Sequence, residues 1–120
     1  MTYMLLIVEG PDDRRTAGRE EGERRYARML DYADGLHRRG KLVRAEALLG
    51  QDGAVRVSKR GGTARAVDGP FTEAKEMVGG FFLLTVDDRE EALAIARDCP
   101  AAEWATVEVR ELGPCFIESD

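Results

Sequence analysis

The stretch Val67-Asp68-Gly69-Pro70-Phe71-Thr72-Glu73-Ala74-Lys75-Glu76-Met77-Val78-Gly79-Gly80-Phe81 joins a turn former, a charged cluster and a double glycine to the start of an apolar strand. Asp-Gly-Pro fits neither a helix interior nor a central strand, because Pro70 has no N–H to give to a ladder. The segment therefore reads as a fixed turn that carries Glu73, Lys75 and Glu76 to the mouth of a sheet. Gly79 and Gly80 read as a close backbone approach, by a neighbouring strand or by a ligand.

Working outward, Phe81-Phe82-Leu83-Leu84-Thr85-Val86 is a buried strand, and Tyr3 to Val8 is another. Between them, Glu9 to Gly18 reads as a polar loop. Arg19 to about Arg39 changes period, with Tyr26, Met29, Leu30, Ala33, Leu36 and His37 on one helical face and Gly40 as the stop. Leu42 to Leu49 alternates as a strand. Ala54–Val57 and Thr63–Val67 flank Arg60-Gly61-Gly62 as a hairpin. Asp87 and Asp88 each precede a glutamate by three residues, which opens a second helix that Pro100 ends. Thr106 to Leu112 supplies the last strand.

The order is β-α-β, a hairpin, then β-α-β: an α+β, ferredoxin-like pattern with an antiparallel sheet and both helices on one face. Met4–Val8 and Phe81–Leu84 are nevertheless apolar on both faces, whereas a half-solvated sheet alternates. No helix remains to cover the second face, so a second copy of the sheet is the expected cover, as a face-to-face homodimer.

The chain of 120 residues suits one domain, 1–120, with its own core. Its net charge of −5 disfavours a nucleic-acid or anionic-membrane surface. No stretch has the length of a membrane span, and the expected location is cytoplasmic. One histidine, and the separate cysteines Cys99 and Cys115, do not make a zinc set, and no cofactor is expected. Neither thiol has an adjacent basic partner to activate it. Arg56, Lys59, Arg60 and Arg65 make the hairpin basic, without the interleaved aromatics of a base-stacking surface.

Together, Asp-Gly-Pro-Phe, Glu73-x-Lys75-Glu76, Gly79-Gly80-Phe81, the opening Tyr3-Met4-Leu5-Leu6-Ile7, Cys99-Pro100-Ala101-Ala102 and Val107-Glu108-Val109-Arg110 resemble the DGPF branch of the YCII-related proteins. The resemblance covers nearly the whole chain and implies the dimeric α/β barrel. It also implies an acid/base pair for the YCII branch proper: a histidine in the first helix and an aspartate before a proline after the second. Here Met29 stands near the first position and Cys99 precedes Pro100. That chemistry is expected to be lost or moved.

The remaining candidates follow from residue chemistry. Asp68 is the leading carboxylate, either as a functional group or as a turn aspartate accepting backbone N–H bonds. His37 is either a general base, a role that imidazole chemistry suits, or a hydrogen-bonded histidine at a helix end. Lys75 and Glu76 form the second charged group. Arg44 and Glu46 oppose Val43, Ala45 and Ala47, and Glu108 and Arg110 oppose Val107 and Val109. These four charges are expected to line the far side of the sheet, as a ligand pocket or as blunting charges on edge strands.

Two functions are consistent with these features. One is a small-molecule-binding protein, with cofactor-free acid/base or lyase-type chemistry. The other, implied by the resemblance, is a regulatory or accessory partner of an extracytoplasmic-function sigma factor.

Overall fold

The computed structural model describes residues 1–117. Its elements are β1 (Thr2–Glu9), α1 (Asp13–Arg38), β2 (Leu42–Ala47), β3 (Val55–Arg60), β4 (Thr63–Asp68), β5 (Met77–Thr85), α2 (Arg89–Arg97) and β6 (Thr106–Glu111). Short 3-10 turns span Gln51–Gly53 and Pro100–Glu103. The four long-range strands form one antiparallel sheet in the order β2-β5-β1-β6, and β3–β4 is a separate two-stranded ribbon. This is the ferredoxin-like order with a hairpin inserted between its second and third strands.

Apolar alternation places the core. Tyr3, Leu5 and Ile7 of β1 and Phe82 and Leu84 of β5 are buried beneath the helices, with Leu36 of α1 and Ala92, Ile95 and Ala96 of α2 above them. Val107 and Val109 of β6 and Ala45 of β2 pack against this cluster. Tyr32 closes it from α1: its ring meets Phe82 edge-on at 5.4 Å and its hydroxyl donates to the Ile95 carbonyl.

Helix α1 departs from its expected boundaries and face. It begins at Asp13 rather than Arg19: Pro11 stays outside it, before the Asp12 cap, and the Thr16 N–H already donates to the Asp12 carbonyl at 2.9 Å. Gly18 does interrupt it, at φ 83° and ψ 168°, so the helical path breaks and resumes. The core face is Met29, Tyr32, Ala33 and Leu36, whereas Tyr26 and Leu30 are 55% and 52% exposed. His37 shares the exposed side. The azimuthal match of His37 to Tyr26 therefore holds, but it points both to solvent.

Helix α2 begins as its sequence indicates. The Asp88 carboxylate accepts from the Glu91 N–H at 2.9 Å, and the Glu91 carboxylate accepts from the Asp87 N–H at 2.8 Å.

Two bulges re-aim side chains. In β2, Leu42 faces Leu84 but Arg44 faces Leu83, so Val43 is the extra residue and is 58% exposed. The expected shared face of Val43 and Ala45 fails for that reason. In β5, Ile7 faces Gly80 but Val8 faces Val78, leaving Gly79 as the extra residue. A Cβ at Gly79 would stand 2.0 Å from Glu9 Oε1, and one at Gly80 would stand 2.8 Å from the Glu46 carbonyl oxygen. Close approach explains both glycines: side chains at the first, the neighbouring strand at the second.

Candidate functional site

The site begins with the sheet face turned away from the helices. Register across β2-β5-β1-β6 sets two rows on it: Arg44, Leu83, Met4 and Arg110, then Glu46, Phe81, Leu6 and Glu108. An apolar centre is thus flanked by one charged strand on each side. Each edge neutralises itself, with Arg44–Glu46 at 2.8 Å and Arg110–Glu108 at 3.3 Å. Both pairs are exposed, so they contribute little to stability.

The next residues along the sheet floor a cleft of about 540 Å³. Leu6, Val8 and Val78 supply its apolar surface, Leu48 to Gln51 and Ala54 one wall, and Glu108 and Arg110 the opposite rim. The signature turn closes one end through Phe71, Glu76 and Met77. Phe71 is only 8% exposed, and the Arg56 guanidinium lies 3.9 Å from its ring centre, so the ring holds this cation at the cleft wall. Gln51 is among the lining residues, and its Oε1 is buried without a hydrogen-bond partner among the described residues. The cleft therefore offers two cations and two carboxylates over an apolar floor.

A second cleft of about 460 Å³ opens at the Glu9 end of β1. Glu9, Asp13, Lys75, Glu76, Glu103 and Trp104 line it. Arg28 fixes Glu103 through two contacts of 3.0 and 2.5 Å and stacks on Trp104 at 5.4 Å. The Arg28 hydrogen bond holds the Glu103 carboxyl below the usual carboxylate range. Among the described residues, no group of three or more His, Cys, Asp and Glu side chains is arranged to hold a metal ion.

Of the residues expected from sequence, Glu76, Glu108 and Arg110 meet in the first cleft, and Lys75 and Glu76 in the second. Arg44 and Glu46 share the same sheet face but line neither cleft. His37 is exposed on α1, in the helical layer across the sheet. Asp68 ends β4, is exposed, and makes no side-chain hydrogen bond among the described residues. Its turn is held instead by the Gly69 N–H donating to the Ala54 carbonyl at 2.7 Å. A Cβ at Gly69 would sit 2.1 Å from the Gln51 carbonyl oxygen, so only glycine fits.

Sequence reasoning missed Arg56, Phe71 and Gln51 as one group. Arg56 read as part of a solvated basic run, and nothing local pairs it with a ring 15 positions later. The apolar Phe71 after Pro70 was the available signal.

The family model for the YCII-related domain matches residues 1–115. The chain belongs to the YCII-related family. A relative from Rhizobium meliloti, itself an uncharacterised protein, is 31% identical over 114 residues, covering 93% of this chain and 92% of the relative. Among solved structures, the chain is similar to 5-chloro-2-hydroxyhydroquinone dehydrochlorinase from Burkholderia phenoliruptrix, in complex with 2,5-dihydroxybenzoquinone. That similarity has a TM-score of 0.56 and 16% identity over 94% of each chain. At that identity the likeness speaks for the fold alone, and it agrees with the ferredoxin-like α+β order of the strands and helices.

Within this YCII-related chain, the positions that the resemblance assigns to an acid/base pair are structural. Met29 packs against the core and Cys99 is 2% exposed within it. Burial pushes the Cys99 thiol pKa up, the direction that disfavours a reactive thiolate.

Proposed function

We propose that this YCII-related protein is a cytoplasmic homodimer that binds a small ring-bearing organic anion in the cleft on its open sheet face. On this reading it acts on that molecule by cofactor-free, lyase-type acid/base chemistry. The observation that carries the proposal is the cleft itself: an apolar floor of Leu6, Val8 and Val78 beneath the cations Arg56 and Arg110 and the carboxylates Glu76 and Glu108. An apolar floor takes a ring, and guanidinium groups at its edge take the ring's oxyanion or carboxylate. The dehydrochlorinase with the related fold, held with a dihydroxybenzoquinone, supports that ligand class.

In the proposed elimination, Glu76 accepts a proton from the carbon beside an electron-withdrawing carbonyl. The released C–H electron pair forms the new double bond, and the leaving group departs with its own bonding pair. Arg110 steadies the charge that develops on the carbonyl oxygen. Glu76 takes this role in preference to Asp68 or His37 because it alone of the three lines the cleft.

A second copy of the open face supplies the roof. Two sheets meeting through Met4, Leu6, Phe81 and Leu83 would bury the apolar centre and leave the charged edges at the rim.

The test is a thermal-shift titration with 2,5-dihydroxybenzoquinone and a series of phenolic carboxylic acids. A ligand at 100 times its Kd stabilises by ~2.7 kcal/mol. We expect a saturable Tm rise for wild type, its loss in the Arg56→Ala, Arg110→Gln pair, and retained binding without turnover in Glu76→Gln. An equal rise in wild type and the double variant would place binding elsewhere.

One observation favours the accessory-module reading. Tyr26 and Leu30 lie one turn apart on α1, half exposed and outside the open face. If that patch docks a sigma factor, Tyr26→Ser, Leu30→Ser should abolish co-purification with it and leave ligand-induced Tm shifts unchanged.

A further inference from the structure

We propose that the β3–β4 hairpin is an exchange arm that clasps a second copy of this chain. The inference rests on the homodimer reading and adds to it a second contact, distinct from the open sheet face.

Both six-residue strands of the hairpin are exposed along their whole length. Register gives the ribbon two unlike faces. Val55, Val57, Ala64 and Ala66 lie together on one, with Lys59 towards the tip and Asp68 at the base. Arg56, Ser58, Arg60, Thr63, Arg65 and Val67 lie on the other. Val57 is 72% exposed and Val55 52%, at positions where strand alternation marks a face meant for burial. An isolated two-stranded hairpin is marginal in water, so a ribbon with a one-sided apolar face requires a cover. Gly61 and Gly62, at φ 64° and 83°, give a tight tip that ends the arm without a bulky loop.

Charge identifies the cover. Of 18 Lys and Arg residues in the chain, the hairpin holds Arg56, Lys59, Arg60 and Arg65, and of 23 Asp and Glu residues it holds Asp68 alone. The rest of the chain is left with 14 cations against 22 anions. A cationic arm on an anionic body is complementary to another copy of that body. Shape agrees: the molecule measures 47 × 46 × 20 Å with a radius of gyration of 16.4 Å. A compact chain of this length has a radius of about 13.5 Å. The arm also springs from the open face, since Ala54 and Arg56 at its root line the cleft that the partner would roof.

The direct test places a photo-crosslinker on the arm. Val57→Cys in a Cys115→Ser background is labelled with benzophenone maleimide, the buried Cys99 being protected. The labelled chain is mixed with a nitrogen-15 chain, irradiated, and the joined peptides are identified by mass. We expect crosslinks from one isotopic chain's arm to the other's body. The Val57→Glu, Ala66→Glu pair should raise the dimer Kd at least tenfold and Ser58→Gln should not. Added salt should raise the wild-type Kd.

A dimer crosslinked only within single chains, or with Kd unchanged in the Glu pair, would overturn the arm while leaving the sheet-face dimer standing. A wild-type monomer would overturn both. A mobility shift on duplex DNA, with dimer Kd unchanged in the Glu pair, would replace the protein partner by phosphate.

Discussion

The guanidinium of Arg14, in the first turn of α1, reaches back to the carboxylate of Glu9 at the end of β1, at 2.7 Å. The Glu9 side chain is 10% exposed, and Arg14 also donates to the carbonyls of Leu48 at 2.8 Å and Gly79 at 3.3 Å. One arginine thus ties β1, the segment after β2 and the β5 bulge at the end of the sheet where both clefts open. The bulge glycine leaves the space for this pair. Gly79→Ala should push Glu9 from its place and destabilise by ~1–3 kcal/mol, as overpacking does. Urea unfolding checks it against Gly53→Ala, where a Cβ meets nothing within 4 Å.

Stability should fall at both ends of the pH range for separable reasons. The Asp87 backbone N–H, and then Lys41 at 2.9 Å, lower the Glu91 pKa, and Arg28 lowers that of Glu103. A depressed carboxylate contributes stability that is present above its unfolded pKa and lost as pH falls through its folded one. Tm should therefore drop below about pH 4.3, and less steeply in Glu91→Gln, Glu103→Gln.

At the alkaline end, burial raises the Tyr32 hydroxyl above its ordinary range. Its stabilisation is intact below the unfolded tyrosine pKa and is lost as pH rises beyond it. Burial, and then Glu111, also raise the Tyr3 hydroxyl, so absorbance at 295 nm should show a late tyrosine phase that Tyr32→Phe reduces but does not remove. The same variant leaves the Ile95 carbonyl without its hydroxyl donor and should cost about 1–2 kcal/mol at neutral pH.

Asp68→Asn and Asp68→Ala should both lie within about 0.5 kcal/mol of wild type, the range of an exposed side chain, since Asp68 makes no side-chain hydrogen bond among the described residues. Chemical denaturation tests this. A loss of ~1–2 kcal/mol in Ala alone would restore the carboxylate as a turn cap.

The topology was legible because each element is punctuated locally. Gly40 stops α1 at φ 71°, Gly61-Gly62 turn the hairpin at positive φ, and Asp88 caps α2. Two-sided apolarity in β1 and β5 identified an open face, and alternation put Arg44, Glu46, Glu108 and Arg110 on it. Bulges were not legible, since one inserted residue reverses alternation without changing composition, as Val43 shows. The helical face was misjudged because Tyr26 and Tyr32 have the same residue preference and only tertiary packing separates them. The cleft was legible only at its charged rim. Its Arg56–Phe71 wall depends on how the hairpin folds back, a relationship with no local period.

The central claim is that the open sheet face is a contact surface whose covering completes the cleft. Sedimentation equilibrium of wild type and Leu6→Glu, both at micromolar concentration, tests it most directly. Leu6 is at the centre of that face, between Phe81 and Glu108, and outside the helix-covered core. The account predicts twice the 13.3 kDa chain mass for wild type and a folded 13.3 kDa monomer for the variant. A dimer of undiminished affinity in Leu6→Glu, or a wild-type monomer, would contradict it.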